Sequence, residues 1–297
     1  MLWRYNVSPL NLNLTRKIKT VGRHAAILAA AALGHLGSGV RADPVAIPNF
    51  WDSKARLERP DLTGLRTVRF MVDDDFPPLL LVGPDGNPTG FSVELARAAC
   101  ERLAITCTVQ VRRFDTLLKA LEDRNGDVVA AAIPITADLR AKFGVTSPYF
   151  RIPARFTARK GFPDTEVRGN SLKGRTIAVV QGTAHEAFVQ SFMAGAAIKR
   201  FPELAAAQAG LKNGEADVLF ADGLSSALWI GGTAAADCCI FVGGAFLESR
   251  YFGEGIGFIT RKDDDLLRRA FDYALQRLWD EGKYAELYLR FFPVSPF

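Results

Sequence analysis

Asp73 and Asp222 each follow a short apolar run, Thr67–Val72 and Val218–Ala221, and either carboxylate could accept from an ammonium group. Thr136 and Thr183 each stand where a helix would start. The free N–H groups of a first helical turn, helped by Arg140, would donate to a carboxylate. Phe76 and Phe114 could cover an apolar or cationic ligand side chain, and Ile133, Ile135, Val180, Ala184 and His185 border the same positions. Together these residues make a site for a small zwitterion or amine. Each also has a plainer role. Asp73 could cap a turn, Asp222 could cap a helix over Leu224–Ile230, the two phenylalanines could be core, and His185 could face solvent.

Catalytic signals are poor. The chain has no G-x-S-x-G, no phosphate-loop GK[ST] and no metal-site spacing, and its histidines are His24, His35 and His185. We expect no catalytic residue, no metal ligand set and no cofactor, hence a protein that is not an enzyme.

The elements that would carry these residues show an internal echo. Leu121-Glu122-Asp123-Arg124-Asn125-Gly126-Asp127-Val128-Val129 and Leu211-Lys212-Asn213-Gly214-Glu215-Ala216-Asp217-Val218-Leu219 both read as a helix end, a glycine stop, an aspartate and a buried strand. Asp127 and Asp217 are expected as turn residues. Strands are also expected at Thr67–Val72, Thr108–Val111, Val128–Ile133 and Thr176–Val180. Helices are expected at Ser92–Leu103, at Phe114–Leu121 and from Thr183, whose T-x-x-E with Glu186 is a capping box; one or two more fill Asp264–Phe292. Alternating strands and helices in two copies predict an α/β fold of two lobes, each a mainly parallel sheet flanked by helices. A cleft between lobes is a usual ligand site, beyond the carboxyl ends of the strands.

The pI of about 9.1 is misleading as a sign of nucleic-acid binding. Residues 1–42 hold six basic and no acidic residues. Removing those six from the 37 leaves 31 basic against 32 acidic residues, a net of −1, without the basic excess that a phosphate backbone requires. Residues 1–42 read as a signal peptide, with an apolar run Ala25–Gly34 and cleavage after Ala42. The expected destination is the periplasm. Cys100, late in a helix, and Cys107, at the next strand, can approach to disulfide distance in an oxidising compartment, or remain buried thiols. For Cys238-Cys239 a strained bond and buried thiols stay equally open.

From Thr67 to Phe292 the chain resembles the periplasmic solute-binding proteins of amino-acid ABC transporters, family 3. The resemblance is carried by Asp73–Pro78, Gly90–Leu95, Leu121–Asp127, Ile135-Thr136, Ser147-Pro148-Tyr149, Leu172–Arg175, Gln181-Gly182-Thr183, Asp217–Asp222 and Gly255-Ile256-Gly257. It implies the type II two-lobed fold, with lobe one at 67–158 and 257–297, lobe two at 159–256, a linker or N-terminal arm at 43–66 and two hinge crossings. It further implies capture of a small polar solute, delivery to a membrane permease, and a monomer with no nucleic-acid partner. By the resemblance, Asp73 and Phe76 are first-lobe ligand positions, Phe114 lines a side-chain pocket, Asp222 binds an α-ammonium, and Cys100–Cys107 is a disulfide. The chain departs from the family at Ala131-Ala132-Ile133-Pro134, where serines are usual, at Ala184 in place of a threonine, and at Thr136–Arg140, whose spacing is T-x-x-x-R rather than T-x-x-R. A non-transport accessory protein of a periplasmic redox enzyme, of the methanol-oxidation type, and a cyclohexadienyl-dehydratase-like enzyme are the alternatives on the same fold.

Overall fold

Two five-stranded sheets, built to one plan, organise the chain. In the first, the strand order is Thr106–Val111, Thr67–Val72, Val128–Val129, Ile259–Arg261 and Phe143–Val145; the first three run parallel and the last two pair antiparallel. In the second it is Ala197–Phe201, Thr176–Val180, Val218–Asp222, Ala154–Arg159 and Cys239–Phe246, again parallel for three strands and antiparallel for two. A small sheet of Asp75–Phe76, Leu80–Val82 and Pro88–Thr89 is added to the first lobe. The computed structural model describes residues 47–297 except positions 53, 55, 64, 66, 74, 164, 165, 168, 293 and 294; the signal peptide expected over 1–42 lies outside the described residues. Among the described residues no helix is long and apolar enough to cross a membrane.

The helices follow their sequence signals with small adjustments. Phe91–Leu103 buries Phe91, Val93, Leu95, Ala96, Ala99 and Leu103 on the face spaced for a helix. The segment from Phe114 is a 3₁₀ turn to Thr116 and only then an α-helix, Leu117–Glu122. The C-terminal stretch is two helices, Asp265–Asp280 and Lys283–Phe291, divided at Gly282 with φ +78°. The strand expected over Val128–Ile133 is paired only at Val128–Val129. Entry into the second sheet comes at Ala154, not at 159, because Ala154–Arg159 pairs with Val218–Asp222 and Cys239–Phe246.

The internal echo has a structural cause. Asp127 N–H donates to the Arg69 carbonyl at 2.9 Å, and Asp127 Oδ2 accepts the Arg69 N–H at 3.0 Å. Asp217 does the same with Thr176, at 2.9 and 2.8 Å. Each aspartate therefore clamps the start of its strand to the neighbouring one, which is the turn role expected for it. Burial pushes the Asp127 carboxyl up, but bonding to Arg69, with Arg261 nearby, outweighs it and holds the group below its usual range. The glycine stop is shared unequally. The left-handed position is Gly214 in the second copy and Arg124, φ +60°, in the first. Gly126 serves close packing instead, since a Cβ there would stand 2.5 Å from the Met71 sulfur.

Between the sheets the chain crosses twice, and the two crossings are bonded to each other. Tyr149 N–H donates to the Ile256 carbonyl at 2.9 Å, and Ile256 N–H to the Phe150 carbonyl at 2.8 Å. The first lobe's core is aromatic around Phe91, Tyr149, Phe150, Tyr284, Tyr288 and Phe292. The described residues of 47–65 carry no helix or strand and lie against it as an arm: the Trp51 ring centroid is 5.3 Å from that of Trp279, tilted, and 5.0 Å from that of Tyr284, edge-on. Cys100–Cys107 is a disulfide with Cα atoms 6.2 Å apart, tying the end of Phe91–Leu103 to the following strand. Cys238–Cys239 is also bonded.

Candidate functional site

A cavity of about 250 Å³ lies between the lobes. From the first lobe and the crossings come Phe76, Pro134, Ile152, Gly255 and Ile256. From the second lobe and its return come Ala184, His185, Asp222, Tyr251 and Phe252. The volume is below that of a typical drug-sized site and equals roughly eight waters of liquid volume.

Asp222 ends the strand Val218–Asp222 and caps the helix Gly223–Gly231. Its Oδ1 accepts from Leu224 N–H at 2.9 Å and Ser225 N–H at 3.0 Å. Both capping bonds fall on one oxygen, and Oδ2 takes neither. Thr183 caps the helix Ala184–Phe192 by accepting from Glu186 N–H at 3.3 Å, as the T-x-x-E pattern requires. Glu186 completes the turn by accepting from Gly182 N–H at 2.7 Å. That helix start delivers Ala184 and His185 to the cavity wall. His185 is half-buried, with its ring 5.1 Å from Phe252 and 5.8 Å from Phe220. Burial holds the imidazole below its ordinary 6.5, against an upward pull from Asp222. The structure therefore puts His185 in the cleft wall rather than in solvent.

The remaining sequence candidates do not line the cavity. Asp73 is buried at the end of Thr67–Val72 near Tyr149, whose hydroxyl is pushed up by burial, against a bond to Ser92, with a smaller contribution from the Asp73 charge. Phe114 is 52% exposed, on the 3₁₀ turn. Ile133 packs on the first lobe's core, and Ile135 is fully buried, bonded to the return crossing through Gly255 O at 2.8 Å and Glu254 N–H at 3.0 Å. Val180 is half-buried in the second lobe, its carbonyl taking the Thr183 hydroxyl at 2.8 Å. Thr136 caps the helix Ala137–Lys142 through Leu139 N–H at 3.2 Å. Arg140 donates from Nε and Nη2 to Glu254 Oε2 at 3.0 and 2.8 Å, while Leu139 is buried. The extra residue in T-x-x-x-R turns the guanidinium about 100° around the helix, onto the return crossing.

Ile152, Tyr251 and Phe252 were not legible as site residues. The last two sit on a one-turn helix, Ser249–Phe252, capped by Glu248. The available signal was an aromatic pair directly before Gly253-Glu254-Gly255 at the return crossing. Among the described residues no group of three His, Cys, Asp or Glu could hold a metal ion.

The family model for bacterial extracellular solute-binding proteins, family 3, matches residues 68–294. The L-arginine-binding protein of Pseudomonas aeruginosa is 29% identical over 238 residues, 80% of this chain and 92% of that protein. The lysine/arginine/ornithine-binding periplasmic protein of Escherichia coli K12 is 26% identical, over 77% of this chain and 88% of its own length. The L-cystine solute receptor of Neisseria gonorrhoeae, in its unliganded open conformation, has the same fold: TM-score 0.68 at 22% identity, over 78% of this chain and 94% of that one.

Proposed function

Because this chain belongs to the bacterial extracellular solute-binding proteins of family 3, we propose that it captures a small ammonium-bearing solute, an amino acid or an amine, in the inter-lobe cavity. It then hands the solute to an ABC permease from the periplasm. One observation carries the reading: the cavity contains a single carboxylate, Asp222, with Oδ1 used by the protein's own helix and Oδ2 taking neither capping bond. An ammonium donating to Oδ2 gains a charge-assisted bond inside a largely apolar wall. The solute would bridge two lobes whose crossings are bonded to each other, and closure by hinge motion follows. In this reading Phe76, Ala184, His185 and Asp222 contact ligand, joined by Tyr251 and Phe252. Asp73, Ile133, Ile135, Thr136, Val180 and Thr183 shape the strand ends and helix starts behind them.

The test is a thermal-shift screen of amino acids and amines. At 100 times its Kd a true solute stabilises the folded state by about 2.7 kcal/mol, which at this size raises Tm by about 5–10 °C. Asp222→Asn, which keeps the helix cap, should remove the shift; an unchanged shift would overturn the assignment of Asp222. Recovery of the solute unaltered after prolonged incubation supports capture, whereas its conversion would favour an enzyme.

A further inference from the structure

The cavity is lopsided in charge. No Lys or Arg side chain lines it, and its lining holds one carboxylate, Asp222. The larger side chains of the wall are otherwise Phe76, Pro134, Ile152, Tyr251, Phe252 and Ile256, with the His185 ring in the same wall as Asp222. Arg140 and the start of the helix Ala184–Phe192 could have received an anion, and both are already engaged by carboxylates of the chain itself; Arg151, next to the lining residue Ile152, instead holds its guanidinium over the Phe50 ring at 5.8 Å. Arg140 stands beside the return crossing, but Glu254 takes both its Nε and Nη2 donors, and Glu254 directly precedes the cavity residue Gly255. The start of the helix Ala184–Phe192 carries partial positive charge, but the Glu186 carboxylate sits in that first turn. It bonds Gly182 N–H at 2.7 Å and, with Arg200, forms an ion pair at 2.5 Å. Pro134, at the first lobe's strand end, has no N–H to offer. A ligand carboxylate entering this cavity would lose water, find no Lys or Arg among the lining residues, and face the like charge of Asp222. A lone ammonium meets the opposite: Asp222 Oδ2 as acceptor, and the rings of Phe76, Tyr251 and Phe252 as cation-stabilising faces.

We infer that the solute is an organic amine without a carboxylate, its ammonium on Asp222 and its apolar body among Phe76, Tyr251, Phe252 and Ile256. The inference rests on the reading that this cavity is the solute site, and it narrows that reading from amino acid or amine to amine. Glu254 is then the specificity residue, because it holds Arg140 away from the ligand.

Isothermal titration calorimetry on the purified protein tests this with matched pairs: L-arginine and agmatine, L-lysine and cadaverine, L-histidine and histamine, L-phenylalanine and phenethylamine. The expected result is that in at least one pair the amine binds tenfold or more tightly than its amino acid. Asp222→Asn should weaken that amine at least tenfold. Glu254→Gln should narrow the gap by strengthening the amino acid. An amino acid binding as tightly as its amine in every pair that binds would overturn the amine assignment while leaving solute capture intact. Absence of binding by all eight compounds would overturn both. A gap that Glu254→Gln leaves unchanged would overturn the role given to Glu254.

Discussion

Gly255→Ala should be among the more damaging single-methyl additions in this protein. Gly255 has φ +123°, outside the range of ordinary L residues, and lies in the return crossing. A Cβ there would stand 2.6 Å from the Phe150 carbonyl oxygen, 2.9 Å from Pro148 Cβ and 3.0 Å from Arg151 Cγ. The Phe150 carbonyl is the acceptor that joins the two crossings, through Ile256 N–H at 2.8 Å. Holding alanine in such a conformation costs about 1–3 kcal/mol. Displacing the carbonyl weakens a buried hydrogen bond by about 1 kcal/mol more. The expected loss is therefore about 2–4 kcal/mol, or a fall in Tm of about 5–15 °C for a domain of this size. Gly161→Ala is the matched control, because Gly161 has φ +84° but nothing within 4 Å of the added Cβ. It should lose only about 1 kcal/mol. Urea unfolding of both variants measures the difference. Equal losses would refute the reasoning, since they would leave backbone conformation alone, not the close approach of the crossings, as the demand for glycine.

Three further outcomes are expected. Replacing Cys100 and Cys107 together by serine should cost about 2–3 kcal/mol of stability, because the bond closes a sequence separation of 7 in the unfolded chain; a urea midpoint unchanged from the parent would contradict this. Trp51→Ala should destabilise the protein by about 2 kcal/mol through lost contact with Trp279 and Tyr284, and unfolding should remain a single transition if the arm is part of the first lobe. His185 is the only histidine after residue 35, so it is the one imidazole beyond that point whose titration can contribute to a stability change between pH 5 and 7. Its folded pKa is depressed by burial, so the unfolded chain binds the proton more readily; stability should be full above about pH 6.5 and fall as pH drops through that value. His185→Gln should flatten that slope, and a slope unaltered by the substitution would remove His185 as its source.

The two-lobed plan was readable because each lobe repeats one unit. Apolar runs long enough to be buried strands follow Asp127 and Asp217, and capping signals such as Thr183-x-x-Glu186 mark where helices must begin. Those are local patterns, and local chemistry decides them. The cavity wall was less readable, because it is assembled by the crossings. Tyr251 and Phe252 are distant in sequence from His185 and Phe76, and nothing periodic announces a one-turn helix. Phe114 shows the converse: an aromatic expected at a side-chain pocket sits on a 3₁₀ turn that leaves it half-exposed, outside the lining of this cavity. Asp73, a candidate ligand group by sequence, is buried at the strand end beside Tyr149 and does not line this cavity.

The two copies of the repeated unit are alike where they do structural work and unlike past their strand ends, where they approach the cavity. Asp127 and Asp217 make the same pair of backbone bonds, so neither can change without loosening a sheet. Past their strands the constraint ends. The second copy closes on Asp222, which both starts a helix and presents charge to the cleft. The first closes on Ile133-Pro134-Ile135, which presents apolar surface and, through Ile135, backbone bonds to the return crossing. One lobe thus contributes the charge and the other contributes shape. A ligand that needs both must touch both lobes, and an open form with the lobes apart can hold only half of it. That asymmetry ties affinity to closure: substitutions at Asp222 should change how strongly the solute is held, while Pro134→Ser should change which solutes fit, by adding donors to the first lobe. Affinity profiles across the matched pairs for Pro134→Ser separate these outcomes, and a uniform loss with no change in ranking would refute the division of labour.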